Sequence, residues 1–271
     1  MRLLWFSPQL DGPFEHRQGD TAFYAWAFYD SGIDLLHPHV SWMGGHKVLA
    51  LEFALPEAIT ALGYHLFGPH LAVARTVTLA FFTLSAGYLF LLLRRLFDAD
   101  TARWTTLAYA LLPVSMVFSR SLHIDFAAVA FTHMAVYHTL AWLRGGSPWH
   151  LLGFLIGATL AALIKIPYLF YFALPLAAVA LRPLNWNRLL PFAAACLPVL
   201  VAFVWWRGHV HTLNSAAPDW SSWVPEYSPF VDMGSWYFGS LADRLTLANW
   251  GALANRFLWE IFTPIGLVLC G

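Results

Sequence analysis

From residue 76 onward the chain alternates between long stretches without charge and short polar turns. Charge-free windows cover 76–93, 104–119, 126–143, 145–164, 166–181 and 189–206. Each approaches the roughly 20 apolar residues with which a helix crosses a ~30 Å hydrocarbon layer. Turn-forming residues separate several of them: Asp98-Ala99-Asp100, Gly145-Gly146-Ser147-Pro148 and Arg182-Pro183-Leu184-Asn185. A backbone in lipid must satisfy its own hydrogen bonds, so these windows predict helices. The expected fold class is all-α, a polytopic transmembrane helical bundle with six transmembrane helices over 69–206, in a single domain spanning 1–271.

The flanking segments follow other patterns. Residues 1–47 mix polar and apolar positions and read as an outward loop. In 48–67, Leu51, Leu55, Ile59, Leu62 and Leu66 recur at helical spacing while Glu52, Glu57 and Thr60 fall off the stripe. That spacing predicts an interfacial helix ended by Gly68-Pro69, and a plain hairpin leading into the membrane fits it equally. Residues 207–253 form a second outward loop carrying Trp220, Trp223, Tyr227, Trp236 and Tyr237. Rings interspersed with Asp and Asn suit a sugar-binding surface, and they also suit an interfacial aromatic belt. Residues 254–271 read as the start of a further helix cut short. The chain is therefore expected to be a fragment, with a helix missing before residue 1 and more after residue 271.

Composition supports the membrane class. Hydrophobic residues make up 59% of the chain and charged residues only 11%, outside the range of soluble domains. The formal net charge of +0 offers no basic field, so nucleic acid is not an expected partner. Cys196 and Cys270 lie in apolar runs and read as packing residues. Orientation follows from the short turns. Arg94, Arg95, Arg103, Arg144, Arg182 and Arg188 face only Asp98 and Asp100 on one side, which the positive-inside rule assigns to the cytoplasm. Asp20, Glu52 and Asp125 then face the exterior or periplasm.

Charged residues beside such spans require a reason. Glu15-His16-Arg17-Gln18-Gly19-Asp20-Thr21-Ala22 is a knot of acid, base and amide, either a reactive site at the membrane surface or a solvated loop. Lys165 stands between Ile164 and Ile166-Pro167, where insertion deep in lipid costs roughly 2.5–3.5 kcal/mol. It reads as functional, or as a lysine reaching out from a helix end. Arg120 and Asp125 either serve a site or pair with each other. His37-Pro38-His39, with His46 near it, and His209-Val210-His211 complete no recognised metal pattern, and no metal or other cofactor is expected. His133 and His138 suit interhelical hydrogen bonds.

Taken in order, these segments resemble the GT-C membrane glycosyltransferases, the group that includes protein O-mannosyltransferases and lipid A aminoarabinose transferases. The resemblance rests on 15–22, on Leu51-Glu52-Phe53-Ala54-Leu55-Pro56 and on Ala74-Arg75-Thr76-Val77. It continues through Ser119-Arg120-Ser121-Leu122-His123-Ile124-Asp125 and Leu163-Ile164-Lys165-Ile166-Pro167. It implies transfer of a sugar from a polyprenyl-phosphate donor to a hydroxyl of a lipid, glycan or protein, with inversion, at the outer face of a bacterial inner membrane. The acids it implies are Asp20 as base, with Asp125 and Glu52 as orienting groups. Arg17, Arg75, Arg120, Lys165 and His16 are the expected donor-binding residues. Membrane lipids are the other expected partners. A transporter or flippase of a lipid-linked sugar is the alternative, although no internal repeat of the transporter kind is evident.

Overall fold

The computed structural model describes residues 10, 15–41, 48–171, 186–216 and 239–262. The elements are α1 (Glu15–Ser31), α2 (Leu55–Phe67), α3 (Leu71–Leu96), α4 (Ala99–Leu111), α5 (Pro113–Phe118) and α6 (Asp125–Leu143). They continue with α7 (Trp149–Lys165), α8 (Pro167–Tyr171), α9 (Trp186–Asn214), α10 (Leu241–Leu245), α11 (Leu247–Arg256) and a π-helical turn, Phe257–Phe262. Among the described residues the only extended pairing is an isolated antiparallel bridge between His39 and Val48. His46, Arg182, Cys270 and the aromatics Trp220, Trp223, Tyr227, Trp236 and Tyr237 lie outside the described residues.

Three described helices are long and apolar enough to cross a membrane: α3, α6 and α9. The apolar α7 is shorter, at 17 residues. The window 104–119 is not one helix. Leu112 adopts φ −53°, ψ 136° ahead of Pro113, as a residue before proline does, and the chain restarts as α5. At Pro167 the break is milder: Ile166 keeps helical angles, φ −49°, ψ −35°, and α7 passes through a single turn residue into α8, while α9 carries Pro191 and Pro198 within its 29 residues and runs past the expected end at 206. The 1–47 stretch is no simple loop either, since it contains the 17-residue α1. Gly32, at φ 97°, takes the left-handed conformation just after its C-terminus and returns its N–H to the Phe28 carbonyl at 3.1 Å.

Small residues bring α6 and α7 close. A Cβ on Gly157 would stand 2.8 Å from the Phe131 carbonyl oxygen and 2.9 Å from the Ala135 nitrogen, so glycine is what this spacing admits. Phe81 and Phe82 of α3, Phe126 and Phe131 of α6, and Ile164 of α7 share one buried cluster. His133 Nδ1 meets Ser85 of α3 at 3.1 Å and His138 Nδ1 meets His150 Nδ1 of α7 at 2.9 Å. Both histidines therefore join helices.

The interfacial segment is helical only from Leu55, and its apolar stripe faces away from the protein. Leu62 is 55% and Leu66 77% exposed, whereas Glu57 and Thr60 are buried against the neighbouring helices. In a bilayer such a stripe meets lipid, so the polar side of the helix becomes the protein-facing side.

Candidate functional site

Helix direction divides the charges between two ends of the bundle. α6 begins at Asp125 and ends beside Arg144, and α7 runs back to finish at Lys165. α3 holds Arg75 in its first turns and Arg94 and Arg95 in its last. One end thus collects Arg75, Asp125 and Lys165, and the other collects the arginines of the turns.

Hydrogen bonds from distant segments fix α1 and residues 48–54 onto the first end. The Leu122 N–H donates to Oε1 of the fully buried Gln18 at 3.1 Å, tying α1 to the turn that precedes Asp125. The Tyr24 hydroxyl donates to the Leu49 carbonyl at 2.8 Å. Asn214, in the last turn of α9, brackets Ala50: its Oδ1 accepts from the Ala50 N–H at 3.0 Å and its Nδ2 donates to the Ala50 carbonyl at 2.8 Å. The Phe53 N–H donates to the Leu163 carbonyl at 3.2 Å, and the Phe53 ring meets Trp206 edge-on at 5.2 Å. Pinned by three helices, this short segment sets Glu52 against Arg17, whose guanidinium forms an ion pair with both carboxylate oxygens. Both oxygens are met by the same nitrogen, Nη2, so the carboxylate is held end-on by one arm of the guanidinium.

The second ion pair joins α6 to α7. Lys165 Nζ donates to Asp125 Oδ1 at 2.8 Å, and the Tyr168 hydroxyl donates to the same oxygen at 2.6 Å. Their side chains keep 39% and 24% exposure for Lys165 and Asp125, so the pair borders the surface. Lys165 does end a helix before Pro167, yet its ammonium is held by a carboxylate. Asp125 pairs with Lys165 and not with Arg120, whose Nε donates to the Met116 carbonyl at 3.2 Å. A small cavity lined by Thr21, Pro56, Thr60, Thr78, Leu122 and His123 lies between the two pairs in sequence terms, bringing together the neighbours of Asp20 and of Asp125.

Of the residues expected from sequence, Arg17 and Glu52 meet each other, as do Asp125 and Lys165. Asp20 is half-buried one turn along α1 from Arg17, close enough for its charge to act on the Tyr24 hydroxyl together with those of Arg17, Glu52 and Glu57. His16 is exposed on the first turn of α1. Arg75, expected as a donor-binding residue, is buried inside the bundle at 1% exposure. Tyr168, Gln18, Tyr24 and Asn214 were not foreseen. Tyr168 lies three residues after Lys165, at helical spacing, and that is the signal that could have found it. Asn214 gives no local signal, because its partner lies 164 residues away.

Chemically, this end offers carboxylates, cations and a phenol at the border of an apolar bundle. An all-α membrane bundle of this kind is of the GT-C type. The chain belongs to the dolichyl-phosphate-mannose-protein mannosyltransferase family, whose description matches residues 54–206. The matched region contains Arg75, Arg120, Asp125 and Lys165 and begins after Arg17, Asp20 and Glu52. The fold is similar to that of ArnT from Cupriavidus metallidurans in the apo state, with a TM-score of 0.60, 20% identity, and coverage of 92% of this chain and 48% of that one. This chain thus spans about half the length of ArnT. No curated protein matches the sequence.

Proposed function

We propose that this chain forms the catalytic half of a membrane glycosyltransferase that moves a sugar from a polyprenyl-phosphate donor to a hydroxyl acceptor, with inversion, at the exterior face. The observation that supports the reading is a pair of ion pairs, Arg17–Glu52 and Asp125–Lys165, on segments of one bundle end that are joined by the Phe53–Leu163 and Leu122–Gln18 hydrogen bonds, in a chain of this family. A hydroxyl is a poor nucleophile until its proton is removed, and Asp20 is the group assigned to take it. The acceptor oxygen bonds to the anomeric carbon while the bond from that carbon to the phosphate oxygen breaks, leaving the electron pair on the phosphate. Arg17, Arg120 and Lys165 meet the charge that develops there, with Glu52 orienting Arg17 and Asp125 orienting Lys165. A single displacement inverts the anomeric centre. The orientation rests on the arginine-rich turns lying in the cytoplasm.

Turnover by the Asp20→Asn protein in vesicles loaded with a lipid-linked sugar tests the base. The expected loss is on the order of 10²–10⁴-fold. Undiminished transfer overturns the assignment of Asp20.

A further inference from the structure

Glu57 has no part in the reaction just described, yet it is the most enclosed acid of this end. It lies in the first turn of α2 at 4% exposure, and its Oε2 is buried without a hydrogen-bond partner among the described residues. A full charge there would be left unsolvated, whereas a protonated acid leaves only a dipole. The surrounding groups do not reverse that preference. α1 presents Arg17, Asp20 and Tyr24, the segment before α2 presents Glu52, α3 brings Arg75 to this end, and Tyr64 shares α2. Arg17 is committed to Glu52. Burial is the dominant influence on Glu57; its own backbone N–H opposes it, the Glu52 charge reinforces it, and Arg17 offsets it least, so that the carboxyl is pushed up to about 8.

We propose that Glu57 is a positioning residue that carries a proton at neutral pH and thereby keeps this end of the bundle open to an anionic lipid phosphate. Loss of the proton sets a second carboxylate beside Glu52, which competes for Arg17 and repels the phosphate. The inference rests on the reading of Arg17 and Lys165 as phosphate-binding cations.

Two measurements on the full chain in lipid nanodiscs test it, each comparing the wild type with Glu57→Gln, which keeps the shape and removes the titration. The first follows the melting midpoint from about pH 5 to about pH 8. Glu57 holds its proton in the native state up to about 8, while the unfolded chain releases it near pH 4.3, a usual glutamate value. The native state alone binds the proton across that window, so wild-type stability falls as pH rises through it. The wild-type midpoint should drop relative to Glu57→Gln, and a difference that stays constant with pH overturns the proposal. The second measurement follows binding of polyprenyl phosphate, without a sugar, at about pH 6.5 and about pH 9.5. Wild-type affinity should fall about tenfold more than that of Glu57→Gln. Equal losses in the two proteins overturn the gating by Glu57 and leave the phosphate site intact. A melting difference that widens with pH, with no binding by either protein, overturns the phosphate site and the gating with it.

Discussion

The two ends of the bundle hold their cations differently. At the arginine end the ion pair Arg103–Asp100, at 2.7 Å, is local and exposed on the first turns of α4, while Arg95, Arg144 and Arg188 meet carbonyls and rings. Arg144 donates to the Arg95 carbonyl at 2.7 Å, Arg188 donates to the Gly146 carbonyl at 2.6 Å, and Arg188 and Arg95 cover the rings of Trp142 and Tyr137 at 4.4 and 5.6 Å. The accepting carbonyls lie at or just past the C-termini of α3 and α6, where unpaired carbonyls and the helix dipole favour positive charge. At the other end Arg120 also meets a carbonyl, that of Met116, but two cations meet carboxylates from distant segments, Arg17 with Glu52 and Lys165 with Asp125. A buried or half-buried ion pair is a poor way to gain stability, because desolvation cancels much of the attraction. Ion pairs between distant segments that contribute little to folding suit the sugar transfer proposed above.

Three substitutions sharpen or break this contrast. Lys165→Met removes a cation from the proposed leaving phosphate and should lower turnover on the order of 10²–10³-fold in a vesicle assay. Retained turnover would put the acidic end on the same footing as the arginine end. Gly157→Val forces side-chain atoms against the backbone of α6 and spreads the helices that bear Asp125 and Lys165. Its expected cost is about 1–3 kcal/mol in denaturant or thermal unfolding, accompanied by weaker Asp125–Lys165 coupling in a double-mutant cycle. Arg188→Ala loses a carbonyl bond and a ring contact and should cost about 1–2 kcal/mol of stability while leaving turnover unchanged. A drop in turnover without a drop in stability would erase the distinction between the ends.

The spans were legible because lipid enforces one rule on every backbone group: the windows at 76–93, 126–143 and 189–206 correspond to α3, α6 and α9. Lys165 and Asp125 were legible for the related reason that charge in an apolar run requires a partner. Other features depend on tertiary contacts that no local pattern encodes. α1 contains Gly19 and a charged first turn, so its propensity is weak, and docking against α2 through Phe28, Ala58 and Ala61 stabilises it. The burial of Glu57 was missed because an amphipathic stripe does not say whether the apolar side meets protein or lipid. The burial of Arg75 also has no local signal, because it comes from α2 and the turn at Leu122 covering the first turns of α3.

The amide of Asn214 has a mechanical consequence. By gripping both backbone groups of Ala50, it couples the end of α9 to the short segment bearing Glu52. α9 is a rod of 29 residues, about 43 Å at 1.5 Å per residue, and little of it is buried among the described residues. A tilt of that rod would reach the segment bearing Glu52 through Asn214, with the prolines at 191 and 198 as the points where the rod can yield instead.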